Sequence, residues 1–280
     1  MSYKTIVVSL NDISRSETLL ALAAGMAAKH KAHLIGLYVI PAPRIYPAVS
    51  AHATPIVLNE TKAFFEENAG QSRQAFEKAT NAAGAEAEWR RVESDSPNIA
   101  DDVIEHGLQA DLLLISQRNE LGNDGIESDF CERVVMESGR PVIVVPQNGK
   151  FKEIGEHVVV GWNASREATR AVFDALPMLG NAKETRLIWV DPQKQPGKSG
   201  NLPGAEMAAT LTRHGVRSIA EAMPTDGIGI GDALLNRASD LGADLIVMGA
   251  YGHTRLREFV FGGATRTVLD QMTVPVLMSH

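Results

Sequence analysis

What this 280-residue chain has little of narrows what it can be. It holds one cysteine, Cys131, so no disulfide framework can staple it. A lone cysteine fits a reducing compartment and reads as a small buried apolar residue. No apolar run reaches the ~18 residues a membrane helix needs. The N-terminus passes from Met1 through Lys4 straight into a strand-like run, without a leader's pattern. Together these features set the expectation of a cytoplasmic protein. Positive charge is also short: 27 basic against 34 acidic residues give a net charge of −7. That balance argues against a general nucleic-acid or anionic-membrane binder. The eight histidines include no H-E-x-x-H or comparable cluster, so no metal site is expected. Aromatics make up 5% of the chain, and Trp89, Trp162 and Trp189 all fall in expected strands, where core packing accounts for them.

What is present is a regular alternation of short β-branched runs with longer helical patterns, the signature of an α/β fold with a parallel sheet. Thr5 to Asn11 reads as a strand, followed by a helix capped by Ser14 or Ser16 that runs to about Lys29. His33 to Ile40 is a second strand, and a proline-marked loop leads to a long helix from about Leu58 to Ala83. Glu86 to Val92 alternates as a strand, a helix follows from near Pro97 to about Gln109, and Asp111 to Ile115 is a buried strand. A helix near Phe130 to Glu137 and the strand Pro141 to Val145 complete the first half.

The same order then starts again. Residues 146–156, with Gly149 and Gly155, read as a linker. His157 to Asn163 parallels Thr5 to Asn11, and Ser165 opens the next helix. Leu187 to Val190, Val216 to Met223 and Asp244 to Met248 are further strands, with helices at Ala205 to His214 and Ile230 to Leu241. Ala243-Asp244-Leu245 repeats Ala110-Asp111-Leu112, and Val274-Pro275-Val276 repeats Arg140-Pro141-Val142. The pattern is an internal duplication with five parallel strands per copy, over residues 1–147 and 155–280.

The most informative stretch lies between the last two strands. Gly249 and Gly252 bracket a turn after a buried strand, and Gly262-Gly263 stands ahead of a helical pattern carrying Thr265. Glycines let backbone N–H groups approach an anion, and a helix start adds unpaired donors and roughly half a positive charge. The spacing G-x2-G-x9-G-G-x-T resembles the nucleotide-binding signature of the universal stress protein family, G-x2-G-x9-G-[ST]. Gly263 stands where that family prefers a hydroxyl.

The resemblance covers nearly the whole chain and implies a Rossmann-like tandem protein whose two halves form an intrachain pseudo-dimer. It implies ATP binding in the second half, with or without magnesium. The family's aspartate near the adenine and ribose is Asn163 here, with Gly161 two residues earlier. Val190 falls at the family's base contact, and Met248 would pack against base or ribose. Gly249, Gly252, Gly262 and Gly263 would offer backbone N–H groups, Thr265 supplies a hydroxyl, and His253, Arg255 and Arg257 are nearby cations. The first half has Ser116, Asn119 and Asp129-Phe130 where the glycines should be, and Glu120, Asp124, Glu127 and Asp129 would repel phosphates. It is expected to be a degenerate partner.

Other motifs fail. Gly197-Lys198-Ser199 lacks the P-loop's first glycine, since Pro192 stands there, and Gly227-Ile228-Gly229-Ile230-Gly231 has Asp232 where a dinucleotide fingerprint needs its third glycine. No nucleophile with a positioned base emerges, so any ATP turnover is expected to be slow. The leading expectation is a nucleotide-dependent sensor or regulator in stress response, self-associating through its apolar terminal strands. A nucleotide-free interaction protein is the alternative. An adenylyl-transferring enzyme would need a catalytic motif the chain does not offer.

Overall fold

A computed structural model describes residues 2–43, 54–119, 125–194, 203–251 and 263–280. Contacts divide the chain into two units, one over Tyr3–Ser138 and the other over Gly139–His280.

In the first unit, β1 (Thr5–Ser9) lies between β2 (His33–Ile40) and β4 (Leu112–Ser116), and β3 (Ala87–Glu93) pairs with β2, all parallel. Around this sheet run α1 (Ser16–His30), α2 (Thr54–Ala83), α3 (Ile99–Gly107) and α4 (Phe130–Glu137). Strands β1 and β4 are buried almost throughout, which is why their sequences run apolar without alternation.

In the second unit, β6 (His157–Gly161) lies between β7 (Glu184–Val190) and β9 (Leu245–Gly249), with β8 (Ser218–Met223) beside β7 and β10 (Val276–Ser279) beside β9, again parallel. Helices α5 (Arg166–Asp174), α6 (Leu176–Leu179), α7 (Ala205–Arg213), α8 (Ile230–Asp240) and α9 (Gly263–Gln271) connect them. The strand β5 (Val142–Val145), fifth in the first sequence repeat, joins this second unit, where it pairs antiparallel with β10, Ile143 opposite Leu277. The described fold is thus the α/β, mostly parallel, tandem architecture the alternation implied, with five strands contributed by each repeat.

The repeated Ala-Asp has a physical account. Asp111 accepts from the backbone N–H of Lys4 (2.6 Å) and Thr5 (2.9 Å), which pins the entry to β1 against β4. Asp244 does the same before β6, accepting from Gly155, Glu156 and His157 at 2.9–3.1 Å.

Some local expectations shift. Neither Ser14 nor Ser16 caps the first helix. Asp12 does so through a 3-10 turn, Ile13–Arg15, accepting from the Arg15 N–H, while the Ser16 hydroxyl donates back to Ile13. A carboxylate is the better acceptor at a positive helix start. Ser165 does cap α5, accepting from the Ala168 N–H at 3.1 Å. Cys131 is buried, its thiol donates to the Ser116 carbonyl (3.3 Å), and burial pushes its pKa up to about 12, so it is no thiolate nucleophile.

Candidate functional site

Strands β6, β7 and β9 all end, by their carboxyl termini, at one rim of the second unit. The chain leaves β6 between neighbours on opposite sides, and a crevice at such a switch point is where open parallel sheets take ligands. A cavity of about 460 Å³ lies there, within the range of small-molecule sites. It gathers Gly161 and Asn163 from the end of β6, Val190 from β7, Met248 and Gly249 from β9, and Gly263 and Thr265 from the start of α9. Seven of the residues expected from the sequence therefore meet around one space. Gly252, His253 and Gly262, with Arg255 and Arg257, lie outside the described residues, as do Glu120, Asp124 and the stretch 197–199.

The strand register says what the rim offers. Trp162 N–H donates to the Ile188 carbonyl (2.8 Å), so β7 turns its even-numbered backbone groups toward β6 there. Asp191 N–H bonds the Met223 carbonyl on the other side (2.9 Å). In a parallel ladder successive residues face opposite neighbours, so the N–H and C=O of Val190 point past the end of β6 into the cavity. They form a donor–acceptor pair of the kind a base edge recognises. Asn163 stands beside them, its Oδ1 accepting from Ser165 N–H at 3.1 Å.

Glycine has a steric task at one of these positions. A Cβ on Gly249 would lie 2.3 Å from the backbone nitrogen of Ala168 and 2.4 Å from the carbonyl carbon of Glu167. Only a glycine lets the first turn of α5 sit on the end of β9. Gly263 is the opposite case, since among the described residues a Cβ there meets nothing within 4 Å. Thr265, buried, accepts from the backbone N–H of Tyr251 (3.3 Å), and Tyr251 is held at a left-handed φ of 58°.

Several lining residues were not read from the sequence as site residues. Trp162 was assigned to core packing, and it is buried yet forms a cavity wall. The rejected dinucleotide motif returns in another role, with Gly229, Ile230 and Gly231 bringing the N-terminus of α8 to the rim. Two clamps hold α8 there. Asp191 accepts from the N–H (3.1 Å) and hydroxyl (2.8 Å) of Thr225 in the loop before it, and Arg237 pairs with Glu221 of β8 at 2.8 Å. None of the described lining side chains is charged.

In the first unit the described residues leave a small space beside the end of β4. The space lined by Asp12, Ser116, Arg118, Asn119 and Phe130 measures about 10 Å³, room for about one water. Asn11, the counterpart of Asn163, donates from Nδ2 to the Val39 carbonyl (2.7 Å) and accepts from the Val39 N–H (3.1 Å). Val39 matches Val190 in register. The first half thus covers with a side-chain amide the backbone that Val190 leaves open in the second.

The universal stress protein family model matches residues 2–146 and again residues 156–280. A universal stress protein of Synechocystis sp. is 27% identical over 171 residues, a match that spans 60% of this chain and 57% of that protein. The crystal structure of a universal stress protein from Archaeoglobus fulgidus has a TM-score of 0.71 at 17% identity, covering 98% of this chain and 95% of that one. A protein of unknown function from Pseudomonas aeruginosa follows at TM-score 0.58 and 16% identity, covering 99% and 92%. At such identities the structures speak for the fold, and the two successive family matches speak for the kinship: this chain belongs to the universal stress protein family.

Proposed function

We propose that the second half binds an adenine nucleotide, ATP, and that occupancy governs how the protein acts as a sensor or regulator in stress response. The observation that carries this reading is the cavity of about 460 Å³ at the strand ends of the second half, where the Val190 backbone is left open, while in the first half Asn11 covers the matching Val39 backbone. In the cavity, the Val190 backbone and Asn163 are disposed for a base edge. Apolar walls from Trp162, Ile188 and Met248 suit a flat ring, and the start of α9 suits phosphates. Gly161, Gly249, Gly263 and Thr265 complete the binding set, with Gly252, His253 and Gly262 of the sequence motif closing it. Magnesium would accompany the phosphates, and turnover would be slow.

No described helix is long and apolar enough to cross a membrane, and a cytoplasmic location belongs to the same proposal. Self-association through terminal strands belongs to it too, with one constraint. Both edges of β10 are taken within the chain, by β9 and β5. A second copy would therefore dock on side chains rather than add a strand there.

The uncharged lining and the missing hydroxyl at Gly263 favour a second reading, an interaction protein that has kept the fold without the nucleotide. Calorimetric titration of ATP with magnesium into the protein and into Gly262→Val separates the two. The nucleotide reading expects one site per chain that the substitution removes. Absence of binding at millimolar ATP would leave the interaction reading.

A further inference from the structure

The first half contains a buried carboxylate that the core does not call for. Glu127 is 6% exposed, and its two oxygens accept from consecutive backbone N–H groups, Ile99 (3.1 Å) and Ala100 (2.6 Å), at the start of α3. Asn98, at the N-cap, makes no capping bond with its side chain. The anion is seated on the helix start in place of a local cap.

Val92 and Met223 occupy matched strand positions, and six residues further on stand the N-caps Asn98 and Gly229. Ile99 and Ala100 therefore correspond to Ile230 and Gly231. Gly229, too, makes no side-chain capping bond. There, however, the helix start borders the open cavity, and no carboxylate of the described residues accepts from it. Gly231 brings α8 against α9, since a Cβ would lie 2.9 Å from the Ala264 carbonyl oxygen and 2.8 Å from Thr267 Cβ. Leu234, one turn further along α8, lies against Gly161 at the end of β6, 3.0 Å from where a Cβ would be. The first turn of α8 and the end of β6 thus border the same cavity.

We infer that the N–H groups of Ile230 and Gly231 form an anion subsite of the second-half cavity, and that it takes a phosphate close to the nucleoside, the group for which Glu127 is the built-in substitute in the first half. The identity of the ligand rests on the nucleotide reading above, whereas the seat rests on the matched pair of helix starts. Asp232, at the third position of α8, is the one nearby acid on that helix turn. Its Oδ2 lies 2.6 Å from where a Cβ on Gly229 would stand, whereas its counterpart Asp101, on the helix turn where Glu127 is seated, is paired with Arg133 (2.6 Å), so an anion bound at α8 displaces the Asp232 side chain from the helix start.

Proline at position 230 deletes one donor and exchanges one apolar lining side chain for another. Proline is favoured at the first position of a helix, and Gly229 already has the extended backbone (φ −69°, ψ 155°) a following proline demands. Ile230→Val, which keeps the N–H, is the control. Adenosine, adenosine monophosphate and inorganic phosphate would each be titrated, with Trp162 fluorescence and the Gly231 amide resonance as readouts. The expected result is that monophosphate and inorganic phosphate shift the Gly231 amide. Ile230→Pro should weaken the monophosphate about tenfold or more while leaving adenosine unchanged. Equal binding of adenosine and its monophosphate, or equal loss of both in Ile230→Pro, overturns the subsite. A Gly231 shift with inorganic phosphate while neither nucleoside nor nucleotide binds would keep the seat and defeat the nucleotide reading.

Discussion

The side-chain amide of Asn11 closes on the backbone of Val39 through two hydrogen bonds, while Asn163, its counterpart, leaves the matching backbone of Val190 facing a cavity. One residue type at one repeat position thus plays two roles. Removing each should separate them. Asn11→Ala strands a buried N–H and C=O, at about 1–3 kcal/mol per unsatisfied group, so a loss of about 2–6 kcal/mol is expected. Asn163→Ala gives up a single partly buried turn bond, about 1 kcal/mol or less, and should instead lower nucleotide affinity. Chemical denaturation alongside calorimetry checks both, and equal destabilisation by the two would contradict the assignment.

Gly249 yields a prediction of the opposite kind. Its missing Cβ is filled by backbone atoms of α5 at 2.3 and 2.4 Å, which cannot rotate aside. Gly249→Ala must push α5 off β9, and overpacking of this sort costs about 1–3 kcal/mol or more. The melting temperature should fall and nucleotide binding with it. A variant as stable as the parent would mean that α5 yields without strain.

How much of this was legible beforehand follows from what each residue does. The strands were legible because parallel, doubly covered strands such as Leu112–Ser116 must be apolar throughout, and the duplication because Asp111 and Asp244 perform one backbone task in both halves. The rim residues Gly161, Asn163, Val190 and Met248 came from the resemblance to the family, carried over position by position onto the strand ends. Ile230 and Gly231 did not, because their role depends on the approach of α8 to α9, a distance that no spacing in the sequence encodes. Nor did the backbone contacts of Asn11 and Glu127 in the first half. The charge of Glu127 suggested repulsion of phosphate, whereas its carboxylate accepts from the backbone at the start of α3.

His30 supplies a pH dependence. It packs against Tyr3, ring centroids 5.0 Å apart, and burial, then the charges of Lys29 and Lys4, hold its pKa below the ordinary 6.5. The unfolded chain therefore binds more protons than the folded one between the two pKa values. Stability from this group is complete above about pH 6.5 and is lost as pH falls through the lower, folded value. Urea midpoints measured from pH 7.5 down to pH 5 should decline, and His30→Gln should flatten the decline. An unchanged slope in that variant would assign the acid sensitivity to other groups.

Gly263 is where the chain departs from its family's signature, and the geometry says that the departure is reversible. A Cβ at this position meets no atom of the described residues within 4 Å, and the residue opens α9 at the cavity wall. Gly263→Ser would therefore place a hydroxyl at the helix start without displacing any of them. A hydrogen bond to a charged phosphate is worth about 1.5–3 kcal/mol, so nucleotide affinity should rise about ten- to hundredfold. Gly263→Ala, with the same Cβ and no hydroxyl, should leave it unchanged. If both substitutions tighten binding alike, the gain comes from a stiffer helix start. If serine alone does, the hydroxyl reaches the phosphate, and the weak point of this site is a single missing oxygen.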